Sequence, residues 1–285
     1  MLTSLTDILS RGESGGYAVM APDFTNLFSA RVMLETAEAL EAPLILSYAA
    51  SFQPMMEVKA FSTFIDIVLE MISGSSQPVC LHLDHASSLE GIQEAVNAGF
   101  NSVMIDASTA PYEENLSLTR EVVEYARPRG VNVEAELGQV TTGAGYFQSG
   151  SREETLTDPA QAAEFAAQTG IDALAVAFGN AHGAYVGEPD LDFERLKQIR
   201  DRVDLPIVLH GASGIPEDDL RRAVELGIRK INLYSELIYS QHKAALGVLR
   251  ETLMDPVRVA RAQAEGLENV LGEYLVWSGS GGRKA

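Results

Sequence analysis

Three histidines of this chain stand where apolar runs end. His85 closes Pro-Val-Cys-Leu-His-Leu-Asp-His (78–85), His182 lies in Gly-Asn-Ala-His-Gly (179–183), and His210 lies in Ile-Val-Leu-His-Gly-Ala-Ser-Gly (207–214). The whole sequence holds only 5 histidines, so three in equivalent places is a pattern that packing alone does not require. Three neutral imidazoles that leave a fourth position open describe a catalytic zinc site; cobalt or iron would suit the same donors. Carboxyl groups stand at comparable points: Asp23, Asp84, Asp106, Glu134 and Glu136. Asp106 and Glu136 could orient metal-bound imidazoles or hold the metal in a second, inward position. Capping of a helix is the plainer role for Asp106.

These residues meet only if the elements carrying them converge. Eight short β-rich runs alternate with amphipathic stretches: Tyr17–Ala21, Pro43–Tyr48, Val79–Leu83, Ser102–Ile105, Asn132–Leu137, Ala173–Phe178, Pro206–Leu209 and Lys230–Leu233. The runs are almost continuously apolar, as expected of parallel strands buried on both faces. Helix starts such as Thr157-Asp158-Pro159 and stops at Gly99, Gly130, Gly170 and Gly227 punctuate the segments between them. Eight units without a break predict an α/β fold, a (β/α)8 TIM barrel forming one domain over residues 1–285, with all strand ends at one mouth. A doubly wound open sheet is disfavoured because no Gly-x-Gly-x-x-Gly follows the first run. Residues 255–274 read as an additional C-terminal helix, and the Gly/Ser-rich stretch 278–285 as a flexible tail. Gly138–Thr155 is long for a connection and reads as a functional or disordered loop.

His82 and His85 differ by three, so a regular strand would point them to opposite faces. His82 therefore reads as a core or supporting residue. Asp84 and His85 both reach the mouth only if the strand twists as it enters the loop. Glycines cluster near the later histidines at Gly183, Gly211 and Gly214. With Ala212, Ser213 and the segment Asn232-Leu233-Tyr234-Ser235 they fall on the last strand ends, where such barrels bind phosphate through backbone N–H groups and a helix N-terminus.

Composition narrows the partners. A net charge of -19 opposes nucleic acid and acidic membranes, so any bound phosphate must be held by local donors. The single cysteine, Cys80, sits in an apolar run and reads as a buried structural thiol. The N-terminus lacks the basic and apolar regions of a signal peptide, and no apolar stretch is long enough to span a membrane; the expected location is cytoplasmic.

His-Leu-Asp-His (82–85), Met-Ile-Asp-Ala-Ser (104–108), Val-Glu-Ala-Glu-Leu-Gly (133–138), Ala-His-Gly (181–183), Leu-His-Gly-Ala-Ser-Gly (209–214) and Ile-Asn-Leu-Tyr-Ser-Glu (231–236) together resemble the class II, zinc-dependent ketose-bisphosphate aldolases, in their tagatose- and fructose-bisphosphate branch. The resemblance implies His85, His182 and His210 as zinc ligands and Asp84 as the acid/base at the hydroxyl beside the cleaved bond. It implies Asp106 and Glu136 as holders of a second, buried metal position. Gly183, Gly211, Ala212, Ser213, Asn232, Leu233, Tyr234 and Ser235 would bind dihydroxyacetone phosphate, with a monovalent cation, sodium or potassium, assisting. A homodimer or homotetramer acting on a sugar phosphate is the family's usual form.

Four positions depart from the family pattern. Ala144 falls where the loop after Glu-Leu-Gly usually carries a proton-transferring glutamate; Tyr146, Glu153 and Glu154 are the nearby substitutes. Ala49 replaces a small hydroxyl residue after the second strand. Asp255-Pro256-Val257-Arg258 shifts by one the arginine usually offered to a distal phosphate. Asp23 stands where the first strand usually ends in asparagine. Three of the changes fall on the aldehyde side of the site, so the expectation is an aldolase that releases dihydroxyacetone phosphate and an unusual aldehyde. An ordinary tagatose- or fructose-1,6-bisphosphate aldolase and a non-catalytic metal- or phosphate-binding barrel remain the alternatives.

Overall fold

A computed structural model of the chain describes residues 1–55, 58–142, 152–183, 185 and 187–283. The strands are β1 (Val19–Pro22), β2 (Leu44–Ala49), β3 (Val79–Ala86), β4 (Ser102–Ile105), β5 (Asn132–Leu137), β6 (Thr141–Thr142), β7 (Ala173–Val176), β8 (Ala181–His182), β9 (Ile207–Leu209) and β10 (Ile228–Leu233). All but β6 and β8 close into a parallel barrel in the order β1-β10-β9-β7-β5-β4-β3-β2. Because β1 pairs with both β2 and β10, no edge is left and the open-sheet alternative is excluded. Each of the eight predicted runs coincides with a barrel strand.

The barrel interior is layered. At the bottom, the N-terminal helix Leu5–Gly15 inserts Leu5, Ile8 and Leu9 beneath Val19, Ile45, Cys80, Ala173 and Val208. This helix was not among the predicted elements. Ser4 starts it by accepting from the Asp7 N–H at 3.1 Å. Full burial of each aliphatic side chain is worth about 1.5–3 kcal/mol. Above this plug lies a polar layer of Ser47, His82, Ser102, Glu134 and Lys230, all fully buried. Its members are neighbours by register, since Ser47 pairs with His82 and His82 with Ser102. The mouth lies above them. A second apolar cluster, including Met33, Ile65, Ile92, Phe165 and Leu220, fills the space between sheet and helices.

The C-terminal helix runs over Pro256–Trp277, slightly beyond the predicted end. The predicted flexible tail needs correction over its described part. Ser278 and Ser280 are fully buried, the Ala18 N–H donates to the Ser278 carbonyl at 3.0 Å, and the Gly282 N–H donates to the Leu40 carbonyl at 2.8 Å. Among the described residues, no helix is long and apolar enough to cross a membrane.

Candidate active site at the barrel mouth

His85 reaches the mouth through an irregularity. Between the pairs Leu83–Val103 and Ala86–Ile105, β3 spends three steps while β4 spends two. His85 takes up the extra residue with a left-handed φ of 50°. A β-bulge of this kind re-aims a side chain, and strained backbone concentrates at functional sites. Asp84 and His85 thus both face the cavity, as the sequence required.

His85, His182 and His210 converge, each offering a ring nitrogen within 4.8 Å of the others. In each ring the opposite nitrogen is committed to an acceptor. His85 Nδ1 donates to Asp106 Oδ2 at 2.8 Å, His182 Nδ1 to the Val140 carbonyl at 3.2 Å, and His210 Nε2 to Glu134 Oε1 at 2.9 Å. Because all three partners only accept, the protons belong on those nitrogens. His85 Nε2, His182 Nε2 and His210 Nδ1 are left facing inward. Two of these, on His85 and His210, are only 3.0 Å apart, and His182 Nε2 is buried with no partner. Facing lone pairs repel unless a proton or cation sits between them. Burial disfavours a charge on His85, but Asp84, Asp106 and Glu136 outweigh it and hold the imidazole up to about 10. Burial and the His85 charge lower His182 and His210. The donor set fits a metal dication in the way three oriented imidazoles do.

Asp84 is buried beside these rings. Its Oδ1 accepts from Asn232 Nδ2 at 2.9 Å, and its Oδ2 lies 3.7 Å from His85 Nε2. Burial works against its charge, yet His85, His210, Lys230 and the Asn232 bond hold it at about 2, so it is ionised. His85, Asp106 and Glu136 form a second group with oxygen and nitrogen donors within 4.8 Å. Glu136 Oε2 is buried without a partner, and burial together with the Asp106 charge raises this carboxyl to about 8. Asp106 does not cap the next helix, which starts after Pro111; its Oδ1 accepts from the Ser108 N–H and hydroxyl.

The support beneath the site was only partly foreseen. Lys230 Nζ lies 3.0 and 2.8 Å from the two Glu134 oxygens and 3.4 Å from His82 Nε2. His82 Nδ1 meets Ser102 Oγ at 2.7 Å. His82 is therefore a supporting residue, as expected. Lys230 had been placed at the start of the last strand; β10 begins two residues earlier, so Lys230 lies within the strand and points into the barrel. Tyr185 also escaped the sequence reading. Its hydroxyl accepts from the Ala181 N–H at 2.9 Å and donates to the Gly211 carbonyl at 3.0 Å, tying the His182 and His210 segments together.

A cavity of about 410 Å³ opens above the three imidazoles. One wall carries Gly183, Gly211, Ser213, Asn232, Leu233, Tyr234 and Ser235. Gly211 has φ 69°, and a Cβ there would lie 2.2 Å from the Ala181 carbonyl oxygen, so only glycine fits. The helix Ser235–Glu251 starts at this wall; Tyr234 does not cap it, but Ser213 Oγ accepts from the Glu236 N–H at 3.1 Å. Ala212 is not on the wall: it is buried, and its carbonyl accepts from the Tyr274 hydroxyl at 3.2 Å.

The family model described as Fructose-bisphosphate aldolase class-II matches residues 3–283. The chain belongs to that family. Among solved structures, the YdjI aldolase from Escherichia coli K12 is similar at a TM-score of 0.88 and 35% identity, with 100% of both chains covered. The fold of fructose-bisphosphate aldolase (Fba) from Campylobacter jejuni also matches, at a TM-score of 0.84 and 22% identity over 98% of this chain and 96% of that one. Family membership makes this a lyase of the aldolase kind, built on the barrel that such aldolases share.

Asp23, Ala49, Ser51 and Phe52 also line the cavity, and no lysine or arginine is among the described lining residues. Arg258 is not there; its guanidinium is half exposed and bonds Glu251. Ala144 and Tyr146 lie outside the described residues, while Glu154 is exposed. The described start of their loop, β6, pairs with β8 and so runs beside His182.

Proposed function

We propose that the protein is a metal-dependent aldolase that reversibly cleaves a ketose phosphate to dihydroxyacetone phosphate and an aldehyde, with an altered aldehyde side. The observation that carries this is the convergence of three inward-facing imidazole nitrogens beside a buried Asp84. His85, His182 and His210 would hold zinc, with cobalt or iron as chemically suitable replacements. When bound, the metal supplies Lewis acidity that polarises the substrate ketone and favours the charge left after carbon–carbon cleavage.

The remaining work belongs to the chain. Asp84 takes the proton of the hydroxyl next to the breaking bond, and Asn232 holds that carboxylate in place. As the carbonyl of the aldehyde forms, the bonding pair passes to the ketone half, which then gains a proton at carbon. The segment 139–155, anchored by β6 next to His182, is the proposed source of that proton. Gly183, Gly211, Ser213 and the start of helix Ser235–Glu251 would bind the phosphate through N–H groups, near Leu233 and Tyr234, with sodium or potassium assisting. Ala212 would support this wall through its backbone rather than touch substrate. Asp106 and Glu136 would receive the metal in an inward position, since Glu136 has a free buried oxygen.

A homodimer or homotetramer in the cytoplasm completes the reading. Apolar Tyr239, Leu246 and Val257, exposed on the last two helices, and Leu253 and Met254, exposed in the connection between them, favour such an assembly. The deciding experiment compares chelated and zinc-reloaded protein on a panel of ketose 1-phosphates and 1,6-bisphosphates, following release of dihydroxyacetone phosphate. Release that depends on metal supports the aldolase reading. Metal binding without release from any substrate would return the non-catalytic alternative, and fast bisphosphate cleavage would return the ordinary one.

A further inference from the structure

Asp23 follows β1 at the cavity wall, paired with Ser47. Paired residues of a parallel sheet share a face, and Ser47 pairs in turn with His82, so all three look into the barrel. Asp23 is 6% exposed, and its Oδ1 has no hydrogen-bond partner. A buried oxygen of this kind is stable when something that enters the cavity reaches it. Around it the wall is Ala49, Ser51 and Phe52; burial and then the Asp84 charge raise the Asp23 carboxyl well above the carboxylate range, against the opposing charges of His85 and Lys230.

The cavity lining changes character around Asp23. Backbone N–H groups and glycines near Gly183 and Gly211 suit an anion. Around Asp23, which adjoins Leu233 through its N–H at 3.3 Å, a carboxyl, a methyl, a hydroxyl and a phenyl ring meet the substrate, with no lysine or arginine among the described lining residues. A phosphate offers mainly acceptor oxygens and charge. Placed here it would face the Asp23 and Asp84 carboxyl groups with no lysine or arginine beside it among those lining residues. A hydroxyl differs, since it donates to an ionised carboxyl and accepts from a protonated one.

We propose that Asp23 binds a hydroxyl of the aldehyde half, and that the substrates are ketose 1-phosphates ending in an uncharged, polyhydroxylated chain instead of a second phosphate. The proposal rests on the aldolase reading and adds the substrate class and the residue that selects it. Phe52 and Ala49 would cover the carbon skeleton, and Asp23 would discriminate by its need for a hydroxyl partner, because an unpaired buried polar group penalises any ligand that leaves it so.

The test is steady-state kinetics of zinc-loaded wild type, Asp23→Ala and Asp23→Asn. Substrates are ketose 1-phosphates and 1,6-bisphosphates in cleavage, and dihydroxyacetone phosphate with either a polyhydroxylated or a simple alkyl aldehyde in synthesis. Wild type should favour the 1-phosphates by about tenfold or more in kcat/KM. Asp23→Ala should lose about 10- to 100-fold with the polyhydroxylated aldehyde, mainly in KM, and less than about threefold with the alkyl aldehyde. Asp23→Asn should retain most activity and narrow the gap against bisphosphates. Wild type preferring a bisphosphate, or Asp23→Ala depressing both aldehydes equally, would overturn the proposal while leaving an aldolase. No dihydroxyacetone phosphate chemistry with any substrate would overturn the aldolase reading itself, and the proposal with it.

Discussion

Glu134 and His210 are joined at 2.9 Å, and through that bond a carboxylate on β5 decides which nitrogen of an imidazole at the end of β9 faces the cavity. Replacing Glu134 by Gln removes the charge that holds the His210 proton on Nε2. Zinc affinity should fall about 10- to 100-fold, the usual cost of losing a partner behind a metal-bound histidine. Competition with a chromophoric chelator measures it. Unchanged affinity would mean that His210 orients itself without this carboxylate.

Lys230 and Glu134 are fully buried partners. Lys230→Met leaves the carboxylate without its ammonium and should destabilise the protein by about 3–5 kcal/mol, whereas the double change with Glu134→Gln should recover a substantial part. Urea denaturation of the metal-free proteins reads this cycle. Additive losses would show that the pair is not coupled.

Asp84→Asn keeps the shape of the side chain and its neighbourhood to Asn232 but cannot take a proton. Turnover should drop about 10²- to 10⁴-fold while zinc stays bound. Parallel metal analysis and single-turnover assays separate the two effects; retained turnover would place the acid/base elsewhere.

Burial and Asp84 hold the Asp23 carboxyl well above its ordinary value. A raised folded value means the folded state keeps the proton more tightly than the unfolded chain does. Stability from this group is complete below the unfolded value, about 4, and falls as pH rises from there through the folded value. Asp23→Asn should therefore melt higher than wild type at neutral pH, with the difference shrinking on acidification. Melting curves from about pH 4 to pH 8 check this, and a constant difference would mean Asp23 does not titrate between the states.

Cys80 is fully buried, and its thiol is pushed up to about 12 by that burial. A thiol reagent at mildly alkaline pH should leave the native protein unlabelled and react with one thiol after denaturation. Rapid labelling of the native state would show that the lower barrel opens.

The strands and the three histidines were legible because their signals are local. Parallel strands buried on both faces read as apolar runs, and a polar residue ending such a run announces itself. Asp84 and His85 were legible only conditionally, since their joint access depends on the bulge that gives His85 its left-handed backbone. Ala212 was placed at the substrate by its motif, yet its side chain turns into the core while its neighbours line the cavity. The stretch after Trp277 looked loose by composition, but its backbone is bonded to Ala18 and Leu40, partners far away in sequence that composition does not show.

Sequence alone determined the alternation of strands and helices and the equivalence of His85, His182 and His210 at strand ends. These follow from periodicity and residue type along a single stretch of chain. Tertiary structure decided which imidazole nitrogen faces inward, that Lys230 lies against Glu134 beneath the site, that the first helix plugs the barrel, and that Asp23 keeps an unpaired oxygen in a cavity with no lysine or arginine among its described lining residues. The reason is range. Each of these facts joins residues on different strands or helices, and only closure of the barrel, with one register at every pair, sets their depth, partners and exposure to water.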